Sequence, residues 1–413
     1  MAWASVQALC GLLAGLLIGP WLGVGPAIGA AAQTMIGFYE AGAPLLIFAI
    51  LGPSLLRLVR HDRDDLRRFT IFAVAWFSAL RLAVCLATAL AVALVYRLPL
   101  TTNAPASGQG WPSLLVLLEN YYLLTFAAAC LSAWVLRHRH GRAVELFLKL
   151  PEYIEAAGNL LTRFTPLFGF LVGVYIVSLP DMLQTATARI PGTMLHPVAF
   201  RWFGIDTGGP NGLMAAYLAV TALTALLCFG LHACLVIWSK RRVPGFSISE
   251  YLSVYLIRVY PPIWSTGAES LAIPANLAIL RRYGRGVPDA MRDLTAGLAA
   301  TLNLNGTLIC CLVLVPAVCM TIGHPLSVVE LLACMPLIFV LGYAIPGIPG
   351  ELAIFGAPIA QALGLSGGEQ DLFLLLFLSW QLGLTDSFRS AGSATDGVPA
   401  TLLLTQSYRR RFG

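Results

Sequence analysis

Charge is what this sequence lacks most. Asp, Glu, Lys and Arg make up 11% of its 413 residues, against roughly 25% in a typical soluble domain. None of the four occurs in 1–39, 207–239 or 294–329, and each run exceeds the ~20 residues that cross a bilayer core. Hydrophobic residues reach 58% and mean hydropathy is +0.79, which excludes a water-soluble fold, a disordered chain and a nucleic-acid module. Lysine is nearly missing: Lys149 and Lys240 are the only two among 26 basic residues. No CxxC pair occurs among the nine cysteines, and His232 and His324, near Cys234 and Cys319, bring no further metal ligands. The cysteines read as small buried apolar residues. There is no Gly-rich loop ending in Lys-Ser/Thr, so nothing points to an ATP-driven pump. No defensible Ser/His/Asp arrangement points to a hydrolase either. A basic n-region is lacking at the start, so the first apolar stretch reads as a retained span rather than a cleaved signal peptide.

What is there is a series of apolar spans separated by short, often basic loops. The charge-poor lengths predict spans at 4–29, 34–59, 69–97 and 111–136, one long helix over 143–179, and a span at 212–238. The last third differs. Residues 247–280 are broken at Pro261-Pro262 and around Ser265–Ser270, and 326–364 at Pro346–Gly350. Between and after them run spans at 290–322 and 371–405. With Arg60–Arg68 in the cytoplasm, the clusters at 137–142, 240–242, 281–285 and 409–411 all fall inside if each broken segment enters and leaves on one side. Loops 98–110, 181–210, 323–326 and 365–370 then fall outside, holding only Arg189 and Arg201 of the basic residues. The expected fold is therefore an all-α polytopic membrane protein, about eight transmembrane helices plus two re-entrant helical hairpins in an inverted repeat. Residues 1–240 carry spans one to six, and 241–413 the core of the hairpin region. The alternative is that the Gly/Pro breaks are kinks in ordinary spans.

Polar residues coincide with these breaks, as expected where a membrane protein lines a cavity. Asp386 and Arg389 stand three apart, so a helix puts them on one face. Either they neutralise each other, or Arg389 offers its planar fork to a carboxylate and Asp386 faces an ammonium group or a cation. Side-chain oxygens such as that of Asn303 suit a small hard cation. Arg81, inside the third span, either holds a functional charge, snorkels to the interface, or pairs with Glu40 or Glu119. Glu269 is either a carboxyl whose raised pKa lets it carry a proton or an ordinary ionised group in a wet cavity. Glu351 has the same two readings.

In this order the motifs resemble the dicarboxylate/amino acid:cation symporters, the glutamate-transporter family. Its Asn-Met-Asp-Gly-Thr motif is matched by Asn303-Leu304-Asn305-Gly306-Thr307, and its hairpin tip Gly-Val-Pro-Gly by Gly347-Ile348-Pro349-Gly350. Its Asp-x-x-Arg-Thr-x-x-Asn is matched in part by Asp386, Arg389, Ser390 and Ser393, and its serine-rich first tip by Gly267-Ala268-Glu269-Ser270. The likeness is specific over 247–405 and architectural before it. It implies a multi-pass symporter of the bacterial inner membrane that takes up a small carboxylate, a dicarboxylate or an acidic or neutral amino acid, with Na⁺ or H⁺ as coupling ion. It further implies no other cofactor, elevator-type movement against a scaffold of spans one, two, four and five, and a homotrimer. By the same resemblance Glu269, Ser270, Thr307, Gly347, Ile348, Pro349, Gly350, Asp386, Arg389, Ser390 and Ser393 bind substrate. Ser78, Asn303, Asn305 and Asp396 bind the cation. Three departures stand out: Asn305 replaces a sodium-ligand Asp, Ser393 replaces a carboxylate-binding Asn, and Asp396 lies one position short of a sodium-ligand Asp. Arg81, one turn beyond Ser78, takes over part of the missing cation's role in one reading. The competing function is a channel or sensor that keeps the fold without coupled transport.

Overall fold

The computed structural model describes residues 2–22, 48–49, 52–53, 56, 64–100, 121–161, 167, 170, 173–175, 177–178, 210–255, 259–260, 263–264, 273–283, 295, 299, 305–343 and 352–412. Among the described residues the chain is helical throughout, with no strand. The helices are α1 (Ala2–Leu22), α2 (Asp64–Tyr96), α3 (Tyr121–Leu136), α4 (Arg142–Leu161), α5 (Pro210–Arg242), α6 (Ile248–Val254), α7 (Ile273–Tyr283), α8 (Asn305–Thr321), α9 (Val328–Leu341), α10 (Ala353–Ala362), α11 (Gly368–Gln381) and α12 (Leu384–Phe412). Stretches over Arg68–Tyr96 in α2 and Gly212–Arg242 in α5 are long and apolar enough to cross a bilayer.

α8 is the centre. Every residue from Asn305 to Cys319 is buried, as expected of a helix that is apolar all round. It packs against α2, α5, α9, α11 and α12, and α5 and α12 lie along one another. α2 has two opposite faces. Phe77, Arg81, Cys85, Ala89 and Val92 are buried, while Leu82, Leu86, Leu90 and Leu94 form an exposed stripe at a four-residue repeat. A leucine stripe of that length suits hydrocarbon and not water.

Chain direction follows from contacts at helix ends. Phe69 at the start of α2 packs on Tyr408, and Phe72 on Phe412, at the end of α12. The other end of α2 meets the start of α9, where the Val328 amide donates to the Pro99 carbonyl over 2.8 Å. A capping box starts α9 there: the Ser327 hydroxyl accepts from the Glu330 amide, and the Glu330 carboxylate accepts from the Ser327 amide. From that end α9 runs back along α2 and stops at Gly342, whose Cα faces Arg81, halfway along α2. Helix α9 therefore ends at mid-depth of the longer helix. At the opposite end of the molecule Glu250 of α6 pairs with Arg282 and accepts from the Tyr283 hydroxyl, so the two ends of segment 248–283 meet.

Two expectations are corrected. The span over 371–405 is not one helix: α11 ends at Gln381, Gly383 takes a left-handed φ of 73°, and α12 begins at Leu384. Only glycine adopts that φ without strain. The cysteines are not uniformly buried either. Cys85, Cys228, Cys310, Cys311, Cys319 and Cys334 are, but Cys10, Cys130 and Cys234 lie exposed on helix faces that no described element covers.

Candidate functional site

The polar centre of the molecule lies where the first turn of α8 meets α12. On α12, Asp386, Arg389, Ser393 and Asp396 follow one another at three- or four-residue steps with Ser390 beside Arg389, one face of a helix. All five are buried, with Arg389 fully enclosed at 0% exposure. The two backbones touch: a Cβ on Gly306 would collide with the Arg389 carbonyl and stand 2.7 Å from the Ser393 nitrogen. Glycine at 306 is what lets α8 come this close.

Among the described residues, Arg389 is held by Asp386, Ser390 and Thr307. Its Nε and Nη2 both donate to Oδ1 of Asp386, over 2.9 and 2.6 Å. Nη2 also donates to Ser390 Oγ at 2.7 Å, and Nη1 to Thr307 Oγ1 at 2.8 Å. The guanidinium thus crosslinks α12 to α8. A lone ion at this depth would be prohibitively unfavourable, and Asp386 neutralises it. Ser393 serves the α8 N-terminus, its Oγ accepting the Thr307 amide at 3.2 Å. That amide is one of the donors a helix start leaves unmet.

One turn further along α12, Asp396 is 1% exposed. Its Oδ2 is 3.5 Å from Asn305 Nδ2, and its Oδ1 lies 3.8 Å from Nδ1 of His232 on α5. Neither His232 Nδ1 nor Asp396 Oδ1 makes a hydrogen bond, although both are buried. The His232 ring packs against both Tyr251 and Tyr255, with centroids 5.7 and 5.3 Å away. An oxygen left unengaged at this depth is the kind of donor a small cation or a proton would take. Among the described residues no three His, Cys, Asp or Glu side chains gather as a metal site. A cavity of about 270 Å³ beside His232, between α5 and α6, is lined mainly by apolar side chains, with His232, Tyr255 and Tyr260 as its polar members.

Of the residues expected to bind substrate, Thr307, Asp386, Arg389, Ser390 and Ser393 are brought together at the α8–α12 contact. Asn305 and Asp396 of the cation set meet one turn away. Ser78 lies apart, on α2, where its Oγ accepts from the Tyr343 hydroxyl at 2.7 Å. Glu269, Ser270, Asn303, Gly347, Ile348, Pro349 and Gly350 lie outside the described residues, as do Glu351 and the partners considered for Arg81, Glu40 and Glu119. Sequence reasoning missed His232, weighed there only as a neighbour of Cys234. The signal was its place four residues from Cys228 and eight from Thr224, on the buried stripe of α5.

Residues 207–407 match the model of the Sodium:dicarboxylate symporter family, from just before α5 to within the last turns of α12. The match contains every described residue of the polar centre. Members of that family are transporters and not enzymes.

Proposed function

We propose, from residues 207–407 belonging to the sodium:dicarboxylate symporter family, that this chain is a cation-coupled symporter of a small carboxylate. The observation that carries the reading is the engagement of Arg389. Both of its donations to Asp386 fall on a single oxygen, whereas a guanidinium fork fits two oxygens in parallel. A substrate carboxylate supplies that second oxygen, so it competes with Asp386 for the fork. Asp386, once released, faces the substrate's ammonium or a cation. Thr307 and Ser390, whose hydroxyls already accept from Arg389, hold the fork in place, and Ser393 keeps the α8 N-terminus against it.

The coupling ion is Na⁺ or H⁺, with Asp396 as its anionic partner and Asn305 beside it. The end of α9 opposite the middle of α2 supports transport over a channel or sensor. Segments 247–285 and 326–364 are then two re-entrant hairpins, supported by the meeting of Glu250 with Tyr283 and by the end of α9 opposite the middle of α2. Elevator-type movement within a homotrimer in a bacterial inner membrane completes the reading.

Uptake into sealed proteoliposomes tests it. Accumulation of a dicarboxylate or acidic amino acid against its gradient is expected, and passive ion current alone would favour the channel. Arg389→Ala should lower uptake by at least about 100-fold, since it removes a charge-assisted fork and strands a buried carboxylate. Arg389→Lys should also be poor, because an ammonium cannot offer two parallel donors. Normal uptake kinetics in either variant would sink the assignment. Measuring rate against sodium at fixed pH, and against pH at fixed sodium, identifies the ion. A pH-dependent limb that vanishes in Glu269→Gln would assign that carboxyl to the coupling.

A further inference from the structure

The cavity of about 270 Å³ between α5 and α6 is a slot along α5. Phe229, Ala233 and Ile237 of α5 line it together with Ile248, Leu252 and Tyr255 of α6. The three α5 residues stand four apart and form one stripe. That stripe runs about 12 Å along the helix axis, most of the ~15 Å of hydrocarbon in one leaflet. Phe229 is 44% and Ile237 49% exposed, so the slot opens on the outer face of α5. Leu226 and Trp238 extend that exposed apolar face, which suits hydrocarbon and not water.

The walls decide what fills such a slot. Water is disfavoured: an apolar cavity stays dry, and one of about 150 Å³ already holds a benzene ring. Left empty, the lining would forfeit dispersion contacts on one side. Its polar members, His232, Tyr255 and Tyr260, also present apolar ring faces. In a bilayer the material at the mouth is acyl chain.

The stripe does not stop at Ile237. Four residues on stands Arg241, with Arg242 beside it, both exposed in the last turn of α5. Lys240 is engaged elsewhere, its Nζ donating to the Phe246 carbonyl at 3.0 Å. Glu250, the acidic residue in the first turn of α6, pairs with Arg282. A hydrocarbon slot whose lining runs on into two arginines suits a molecule with a chain at one end and an anion at the other. Basic residues at the membrane boundary attract anionic headgroups by about 1 kcal/mol each, or about fivefold.

We propose that the α5–α6 slot is a binding site for an anionic phospholipid. One acyl chain lies along Phe229, Ala233 and Ile237, and the phosphate meets Arg241 and Arg242. The site goes beyond the transport reading and requires only that α5 spans the membrane. The bound chain braces α6 against α5 and supports Phe229, whose ring centroid is 6.2 Å from that of Phe388, the neighbour of Arg389 on α12. One aromatic layer then separates the lipid from the polar centre.

The test uses full-length protein in phosphatidylcholine vesicles. These carry a phosphatidylglycerol analogue with a diazirine in its acyl chain, or the matching phosphatidylcholine analogue. After photolysis, labelled peptides are identified by mass spectrometry. Wild type should be labelled within 229–237 and 248–260, at least about fivefold more by the anionic analogue. Arg241→Gln should need about fivefold more of that analogue for equal labelling, and adding Arg242→Gln should leave only the phosphatidylcholine level. Arg410→Gln, an exposed charge on α12, should change nothing. Ala233→Trp, at an exposed position, should fill the slot and abolish its labelling by both analogues. Equal labelling of wild type by the two analogues would overturn the proposal, as would labels confined to other segments. A loss in Arg410→Gln as large as in Arg241→Gln would reduce the effect to general surface charge and overturn it too. If Ala233→Trp fails to elute as folded protein in size exclusion, the arginine series decides alone. Labelling is read without substrate, so a wild type that transports nothing would sink the transport reading and leave this test intact.

Discussion

Arg389 shows how one side chain can be both a structural crosslink and a recognition group. Its partners Asp386, Ser390 and Thr307 come from α8 and α12, so the contact of these helices and the charge at their centre depend on each other. Gly306 is the other half of that contact. In Gly306→Ala the new methyl meets the Arg389 backbone carbonyl, which cannot swing aside as a side-chain tip would. Overpacking of this kind costs about 1–3 kcal/mol, and the upper end is expected here. Melting in detergent should fall accordingly, and uptake should be lost as Thr307 and Arg389 separate. A variant that melts with wild type would show that the helices have slack. The Asp386–Arg389–Ser390–Ser393 face was legible in the sequence, because helical spacing alone puts those positions together. His232 was not legible as a partner of Asp396, since their approach depends on how α5 and α12 lie against each other. Helical period does not encode that register.

At the scale of elements, the break between α11 and α12 decides where the α12 polar face begins. The break strands backbone groups, and Tyr217 of α5 serves them: its hydroxyl donates to the Leu382 carbonyl at 3.1 Å and accepts from the Leu384 amide at 2.9 Å. Next to it, Thr221 and Thr385 share a 2.6 Å hydrogen bond. Tyr217→Phe preserves the ring and removes both bonds, so about 1–3 kcal/mol should be lost. Gly383→Ala forces a left-handed residue to carry a Cβ, at about 1–2 kcal/mol. Both variants should melt earlier, and Tyr217→Phe should also weaken substrate uptake because Asp386 lies in the first turn after the break. If Tyr217→Phe melts with wild type, the break is satisfied by other means. Apolar length alone predicted one span across 371–405, because the hydrophobic run continues through Leu382 and Leu384. A single Gly383 inside such a run gives no sign of its φ. The helices at 64–96 and 210–242, by contrast, were legible to within a few residues, since long apolar runs closed by polar loops leave few alternatives. The stacking of Arg81 on Tyr343 and Phe339 was out of reach, because helical period does not say which rings another helix brings to it; the expected partners Glu40 and Glu119 lie outside the described residues.

For the whole molecule, the decisive quantity is the side of the membrane on which each loop lies. The basic clusters at 240–242, 281–285 and 409–411 share a face only if both broken segments return to the side they entered from. Contacts at the described helix ends agree at three points: Phe69 with Tyr408, Pro99 with Val328, and Glu250 with Tyr283. Cysteine labelling tests the arrangement directly. The exposed Cys10, Cys130 and Cys234 would be replaced by serine, leaving the buried six in place. Single cysteines at exposed Arg242 and Arg281, and at His324 and Ser366, would then be probed on intact cells with a membrane-impermeant maleimide. Arg242→Cys and Arg281→Cys should both stay unlabelled until the cells are opened, whereas His324→Cys and Ser366→Cys should both label at once. Opposite behaviour of 242 and 281 would make the first segment a full crossing. The same result for 324 and 366 would do so for the second. Either outcome would put Arg409–Arg411 on the outer face or break the charge rule at one cluster. In the second case the end of α9 would no longer mark a half-way turn.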